Sequence, residues 1–274
     1  MIISVSRRCD IPRFQFDRFM TRLNEGFVEV ANPYNANQIK RVSLLREDVD
    51  AFVFWTRDPR HILADAQELT NRGFPFYVMV SLTGYPAVLE PESAPAPEVI
   101  DGMTELSRLI GRERVIWRYD PVILTSVTDF DFHRSNFNGL SQKLADSVKR
   151  IIISVYDEYQ GAIKRLDKLE QEEKLKMMNT DDAEINKNLH ELLADFAKNA
   201  AARGMEIQSC AEKEDFSRLG IKPGACIDAA LIGEVPRAQS VRDKNQRPNC
   251  LCCKSVDIGA YRTCKAGCVY CYAS

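Results

Sequence analysis

The sequence predicts an α/β fold, a TIM-like barrel or partial barrel of about six strand–helix units. Short apolar runs rich in β-branched residues recur along the chain, and helical patterns separate them. The chain has 274 residues, 45% of them hydrophobic, which is enough for a full-sized core. An open doubly wound sheet is the second choice, because it is built from the same alternation.

Six runs are predicted to form the strands. Their almost continuous apolar character is typical of parallel strands that are buried on both faces. In chain order they are Ile2 to Ser6, Ala51 to Trp55, Phe76 to Leu82, Arg114 to Tyr119, Arg150 to Tyr156 and Met205 to Cys210.

Helices are predicted between these strands, on the outside of the sheet. The first has an apolar stripe at Phe16, Phe19, Met20 and Leu23, whose spacing of three and four places them on one face. The same pattern recurs near residue 190, at Ile185, Leu189, Leu192, Leu193 and Phe196.

Two stretches depart from the plain repeat. Phe27 to Ala31 and Ile39 to Leu45 flank an Asn-rich loop, which predicts a hairpin or a pair of short extra strands. Asp157 to Arg203 is too long for a simple crossover, so we expect a helical excursion there. Its Lys- and Glu-rich part, Lys164 to Lys176, is typical of a solvated helix face.

Composition limits the function. The chain has 37 basic and 39 acidic residues, and a net charge of −2 gives no overall attraction to a polyanion or a membrane. No apolar run approaches the roughly 20 residues that cross a bilayer, and the first residues do not resemble a signal peptide. We therefore expect a cytoplasmic protein without a membrane partner.

Polar residues follow the predicted strands directly. Because the carboxyl ends of parallel strands meet at one rim, these side chains are candidates for binding a cofactor or substrate. The candidates are Arg7, Arg8, Arg118, Asp120 and Glu212. Asp10 also follows a strand, but it precedes Pro12 and is equally well explained as a helix cap.

The main clue is the distribution of cysteines. Six of the nine lie within the last 25 residues. Cys264, Cys268 and Cys271 have the spacing C-x3-C-x2-C, and three thiolates are one fewer than a closed site needs. A [4Fe–4S] cluster held by three cysteines leaves one iron open to another ligand.

The remaining cysteines also form a set. Cys250 and Cys252 precede the three-cysteine loop, Cys210 ends a predicted strand, and Cys226 lies in a turn shortly after it. These four could complete a second cluster, so one cluster or two are expected. Cys253 could replace a member of either set, and Cys9 is expected to be a small buried side chain or a bystander. A zinc staple drawn from the tail cysteines is the structural alternative.

The three-cysteine spacing, with Tyr270 directly before the last cysteine, resembles the signature of radical S-adenosylmethionine enzymes. The resemblance implies that S-adenosylmethionine binds the open iron and yields a 5′-deoxyadenosyl radical. It also implies that Tyr270 packs near the adenine. In that superfamily the loop follows the first strand of a six-unit partial barrel, whereas here it follows the sixth.

A series of motifs along the whole chain resembles an uncharacterised bacterial family of unknown function, DUF1848. The family's C-terminal cysteine cluster is said to resemble that of radical S-adenosylmethionine domains, so membership implies the cofactor and leaves the substrate unknown. The motifs are Ser6 to Pro12, Asn32 to Asn35, Val53 to Thr56, Leu82 to Tyr85, Val115 to Pro121, Ser255 to Gly259 and Cys271 to Ala273.

Together these features predict a barrel-like domain over residues 1–235 and a cysteine-rich tail over 236–274 that closes over the strand ends as part of one structural unit. The leading hypothesis is an enzyme with an unknown small-molecule or peptide substrate and an electron donor such as flavodoxin or ferredoxin. No acid, base or radical relay is assigned, so the catalytic residues stay unknown. The competing hypothesis is a zinc- or iron–sulfur-stapled binding module that recognises nucleic acid or a protein.

Overall fold

A computed structural model describes residues 1–233 and 241–274 and has an α/β fold with one large parallel sheet. The sheet has eight strands, two more than the sequence predicts. They are β1 (Ile2–Val5), β4 (Ala51–Thr56), β5 (Phe76–Ser81), β6 (Val115–Val122), β7 (Arg150–Val155), β8 (Glu206–Cys210), β9 (Lys222–Gly224) and β10 (Val256–Asp257).

The six predicted strands are confirmed. Of the two extra strands, β10 pairs with β1 and β9 pairs with β8. The strand order is β10-β1-β4-β5-β6-β7-β8-β9, with every neighbouring pair parallel. This is the sequential order of a barrel, interrupted between β9 and β10, which we call the seam. Within residues 1–233 and 241–274 no strand pairing crosses the seam, so barrel closure is not shown.

Both faces of the sheet are apolar, as expected for parallel strands. One face packs against the helices through side chains such as Phe52, Phe54 and Trp117. The other forms an inner core with Ile2, Val53, Tyr77, Met79, Ile116, Ile152 and Ile227. Alternation along each strand divides its side chains between these two cores.

Eight helices lie in the described part of the chain. They are α1 (Ile11–Phe14), α2 (Phe16–Glu25), α3 (Arg60–Asn71), α4 (Ala96–Ile110), α5 (Phe130–Leu144), α6 (Gln160–Gln171), α7 (Ala183–Ala202) and α8 (Ala229–Ile232), with a 3₁₀ turn at Phe216–Leu219. The predicted excursion between β7 and β8 is confirmed, because α6 and α7 both lie there. None of the described helices is long and apolar enough to cross a membrane.

Several helices begin after an Asp whose side chain accepts hydrogen bonds from the first backbone N–H groups. Asp129 accepts from the Phe132 N–H at the start of α5, and Asp182 accepts from two N–H groups at the start of α7. The predicted cap at Asp10 is also present, since it accepts from the Arg13 N–H at 3.0 Å. Gly26 ends α2 with φ of 79°, a conformation that favours glycine.

The predicted hairpin is confirmed as β2 (Phe27–Asn32) paired antiparallel with β3 (Asn35–Ser43), outside the large sheet. The cysteine-rich tail contributes β10 to the sheet and then runs to its carboxyl ends. The predicted boundary between residues 235 and 236 lies outside the described residues and stays a prediction.

Candidate functional site

A cavity of about 430 Å³ lies at the carboxyl ends of the parallel strands. Arg7 follows β1, Arg57 follows β4, and Asp157 follows β7, so separate strands supply its polar rim. The tail covers it with residues from Gln246 to Ala273. Its position is the one in which parallel α/β sheets bind ligands.

The cavity brings together nearly all of the predicted site residues. All seven predicted cysteines line it, as do Tyr270, Arg118, Asp120, Arg7 and Arg8. Glu212 is not among the lining residues; its carboxylate accepts from the Val155 N–H at 2.9 Å, and burial raises its pKa to about 7. Cys253 is buried but does not line the cavity.

Cys264, Cys268 and Cys271, which we call the loop group, lie on a short segment that is fixed to the rest of the fold through its backbone. The Val269 N–H donates to the Leu89 carbonyl at 3.0 Å. Arg165, on α6, donates to the carbonyls of Val269 and Cys271. Because these bonds come from two different elements, the orientation of the loop depends on the surrounding fold.

A buried ion pair lies beside the loop group. The Arg57 guanidinium pairs with the Glu90 carboxylate and donates to the Tyr270 hydroxyl at 3.2 Å and the Thr83 hydroxyl at 3.0 Å. The Tyr270 hydroxyl donates to Glu90. Burial opposes ionisation of Glu90, but Arg57 and the hydroxyl donors lower its pKa below the usual value. This network anchors Tyr270 and places both charges of the ion pair near Cys268.

The thiols of the loop group differ in acidity. Burial raises the pKa of Cys268 to about 11, and the Arg57 charge opposes this rise. A hydrogen bond with the Cys9 thiol lowers the pKa of Cys264 to about 5. Cys9 is buried, as the sequence predicts, but it is not a bystander, because it lines the cavity and contacts Cys264.

Cys210, Cys226, Cys250 and Cys252, which we call the seam group, lie where the sheet is interrupted. Cys210 ends β8, Cys226 follows β9, and the other two come from the tail. The Cys226 thiol contacts the Cys210 sulfur at 3.2 Å, and Cys252 is hydrogen-bonded to both Cys226 and Cys250. The Ile227 N–H also donates to the Cys252 sulfur at 3.3 Å. The four thiols therefore form one continuous contact chain.

Two arginines carry positive charge toward the seam group. Arg7 interacts electrostatically with Cys252 and Cys226, and Arg118 with Cys226 and Cys210. The Arg118 guanidinium pairs with Asp120 and lies over the Trp55 ring at 4.9 Å. Its Nε is buried without a hydrogen-bond partner, so the side chain keeps an unused donor beside the cavity.

Asp257, on β10, joins the tail to β1. Its carboxylate accepts from the Ser4 hydroxyl at 2.8 Å, the Ser6 hydroxyl at 2.5 Å and the backbone N–H groups of Arg7 and Gly259. A Cβ at Gly259 would lie 2.1 Å from the Ser6 hydroxyl, so only glycine fits. The Arg7 Nε lies 3.7 Å from the same carboxylate, so Arg7 also forms an ion pair with Asp257.

The potential metal donors that line the cavity are mainly thiols. No three His, Cys, Asp or Glu side chains in residues 1–233 and 241–274 are arranged to hold a single ion. A [4Fe–4S] cluster has a different requirement, because its cysteines each bind a separate iron and surround the cluster. Cysteines that line one cavity fit that requirement in their chemistry, since soft thiolates are the ligands that iron–sulfur clusters use.

The basic residues near the cysteines are partly used inside the fold. Arg242 donates to the carbonyls of Cys250 and Pro248, and Arg247 pairs with Asp157. Arg237, another basic residue of the tail, lies outside the described residues. Arg242 and Arg247 thus help hold the tail in place.

Glu90 and Asp257 were missed as candidate site residues. Glu90 lies in a Pro-rich loop without any signal of function, and its partner Arg57 is 33 positions earlier in the chain. Asp257 falls within a family motif, but nothing in its immediate sequence indicates that it accepts from residues of β1. Both roles arise only when distant segments pack.

Comparison with known proteins gives a family and no function. The model of a family described as a domain of unknown function (DUF1848) matches residues 2–273. The chain therefore belongs to this family. No curated protein matches it.

Proposed function

We propose that this member of the DUF1848 family is a radical S-adenosylmethionine-type enzyme that holds a [4Fe–4S] cluster with its loop group. The single observation that carries the proposal is the location of the loop. Three thiols with C-x3-C-x2-C spacing line a cavity at the carboxyl ends of a parallel sheet, although the loop comes after the strands in the chain. Ligand geometry matters for such a site, and chain order does not.

The cavity has a size and polar groups that suit a small-molecule ligand. Its volume of about 430 Å³ lies within the range of small-molecule sites. Arg118, Asp120, Arg7 and Arg8 can bind carboxylate and hydroxyl groups by charge-assisted hydrogen bonds. The substrate is proposed to be a small molecule or a peptide segment.

Cys264, Cys268 and Cys271 would hold the cluster, which would supply one electron for breaking the C–S bond of S-adenosylmethionine. The products would be methionine and a 5′-deoxyadenosyl radical, which would become 5′-deoxyadenosine by taking a hydrogen atom from the substrate or, without substrate, from the protein or buffer. The protein positions the reactants and excludes water. Arg57 favours the ionised form of the nearby Cys268 thiol, and the negative charge of its partner Glu90 offsets part of this effect. Tyr270, anchored to Glu90 and Arg57, fixes the backbone between Cys268 and Cys271.

The proposed activity would depend on the compartment and on an electron donor. Reduced thiols and an intact cluster require a reducing compartment such as the cytoplasm. A one-electron donor such as flavodoxin or ferredoxin is the expected protein partner.

The test is cofactor cleavage by the full chain purified without oxygen. Dithionite-reduced protein is examined by electron paramagnetic resonance with and without S-adenosylmethionine, and 5′-deoxyadenosine and methionine are measured by chromatography. We expect the spectrum to change on adding S-adenosylmethionine and both products to form. Cys268→Ala should abolish product formation and the spectral change.

Cys253→Ala is the matched control, because Cys253 is a buried tail cysteine that does not line the cavity. It should form both products as the unchanged protein does. Cofactor cleavage that persists in Cys268→Ala would overturn the assignment. Colourless protein with one zinc per chain, not replaced on anaerobic reconstitution with iron and sulfide, would instead favour a stapled binding module.

A further inference from the structure

We infer that the seam group is the site of a second [4Fe–4S] cluster, bound by Cys210, Cys226, Cys250 and Cys252. Four cysteines supply one ligand to each iron, so this cluster has no open position. Its chemistry is therefore electron transfer or storage, and it does not bind S-adenosylmethionine. The inference is independent of the activity proposed for the loop group.

The first support is that three separated chain segments bring the four thiols together. Cys210 ends β8, Cys226 follows β9, and Cys250 and Cys252 come from the tail. A contact of 3.2 Å joins Cys226 to Cys210, and hydrogen bonds continue the chain through Cys252 to Cys250. Folding thus collects thiols that the sequence separates by as many as 42 positions.

The second support is burial beside an inner core. Cys226, Cys250 and Cys252 are each at most 7% exposed and pack with the apolar residues inside the sheet. Cys210 is half-buried and borders the cavity. Burial protects a cluster from solvent and oxidants, while the cavity leaves one path by which iron and sulfide can enter.

The third support is charge. Four thiolates in mutual contact would repel one another strongly in a buried place, so they require positive charge nearby. Arg7, which follows β1, and Arg118, on β6, supply part of this charge. The cationic core of an iron–sulfur cluster would supply the remainder.

A zinc staple would use the same four thiols, so zinc is the competing occupant of this site. Because each thiolate of a cluster binds a separate iron, cluster binding would require the thiols that now contact one another to move apart toward the cavity that they line. Cys226 follows β9, and Cys250 and Cys252 precede β10, the two strands that border the interruption of the sheet. Metal and sulfide analysis distinguishes the two occupants.

The test is iron and sulfide analysis of the full chain, purified without oxygen, together with two cysteine variants. Wild-type protein should contain about eight irons, and the loop variant Cys264→Ser/Cys268→Ser/Cys271→Ser should retain about four. The seam variant Cys226→Ser/Cys252→Ser should also retain about four. In the loop variant, the resonance spectrum of the reduced cluster should not change on adding S-adenosylmethionine.

Cys253→Ala is again the matched control and should keep the wild-type iron content. A folded loop variant without iron would overturn the inference, and so would a seam variant that keeps all its iron. One zinc per chain, or a Cys210–Cys226 disulfide in place of iron, would also overturn it. If the seam variant does not fold, the iron content of the loop variant alone still tests the inference. Iron retained there with no cofactor cleavage by wild-type protein would support the seam cluster while rejecting the proposed function.

Discussion

The loop group and the seam group face the same cavity but are assembled in opposite ways. The loop group comes from eight consecutive residues, 264–271, and is held from outside by a buried ion pair and by Arg165. The seam group comes from three segments and depends on the pairing of strands β8, β9, β10 and β1. A site that is local in sequence thus depends on packing around it, and a dispersed site depends on the topology of the sheet.

The largest expected effect comes from breaking the network beside the loop group. Glu90→Gln leaves the Arg57 guanidinium buried without its counter-ion and weakens the anchor of Tyr270. We expect the free energy of unfolding to fall by about 3–5 kcal/mol, measured by urea denaturation. Glu113→Gln, which breaks the exposed pair with Lys149, should cost at most about 1 kcal/mol. Equal losses in both variants would show that the buried network has no special role.

A second prediction concerns the stability of the protein at acid pH, which depends on the buried His133 near the loop group. The ring of Tyr85 contacts both Tyr270 and His133. Burial lowers the pKa of His133 to about 4, and its ring is hydrogen-bonded to the Tyr119 hydroxyl and the Ile123 carbonyl. The unfolded state therefore binds a proton near pH 6.5 and the folded state only near pH 4.

Above about pH 6.5, His133 is neutral in both states and does not affect the free energy of unfolding. As the pH falls from 6.5 toward 4, the unfolded state binds a proton that the folded state does not, so the free energy of unfolding decreases. This decrease should reach about 3 kcal/mol near pH 4. The measurement is the difference in unfolding free energy between wild-type protein and His133→Gln at several pH values. A difference that does not vary between pH 7 and pH 4 would contradict the prediction.

A third prediction tests the dependence of the seam on strand pairing. Asp257→Asn keeps the size of the side chain, but its NH2 group cannot accept from the donors that now bond to one of the two carboxylate oxygens. The expected loss in unfolding free energy is about 1–3 kcal/mol. Asp215→Asn is the control, since Asp215 is an exposed cap and Asn caps equally well. If strand pairing supports the seam, Asp257→Asn should also lower iron content in the loop variant.

The smallest effect is expected for Cys9→Ser, which tests whether Cys9 belongs with the loop group as a ligand. If Cys9 is only a hydrogen-bond partner of Cys264, Cys9→Ser should leave iron content and the response to S-adenosylmethionine unchanged. The unfolding free energy should change by less than about 1 kcal/mol. Loss of about four irons would instead make Cys9 a ligand and would leave no open iron in the loop cluster.

The elements that the sequence predicts well are long and strongly patterned. All six predicted strands, the hairpin β2–β3 and the excursion α6–α7 are present because each has a continuous apolar or helical pattern. The strands β9 and β10 were missed because they have three and two residues, and β9 contains Pro and Gly. Parallel pairing with β8 and β1, and not local preference, makes them strands.

The site divides in the same way. Cysteine spacing predicts the loop group directly, and strand ends predict Arg7, Arg8, Arg118 and Asp120 at one rim. Glu212 shows the limit of that argument, because a residue two positions beyond Cys210 turns its carboxylate to the backbone of Val155 instead of the cavity. The contact of Cys9 with Cys264 depends on tertiary packing that no local pattern records.

The pairing of β10 with β1 has a consequence for synthesis of the protein. Ser4 and Asp257 are hydrogen-bonded although they are 253 residues apart in the chain. At about 5–20 residues per second, a ribosome needs roughly 10–50 s between these two residues. During that interval the edge of β1 has no partner from the tail, and both cysteine groups are incomplete. Loading of the proposed clusters would therefore be a late event, since a nascent chain cannot offer the full set of thiols until its tail has left the ribosome.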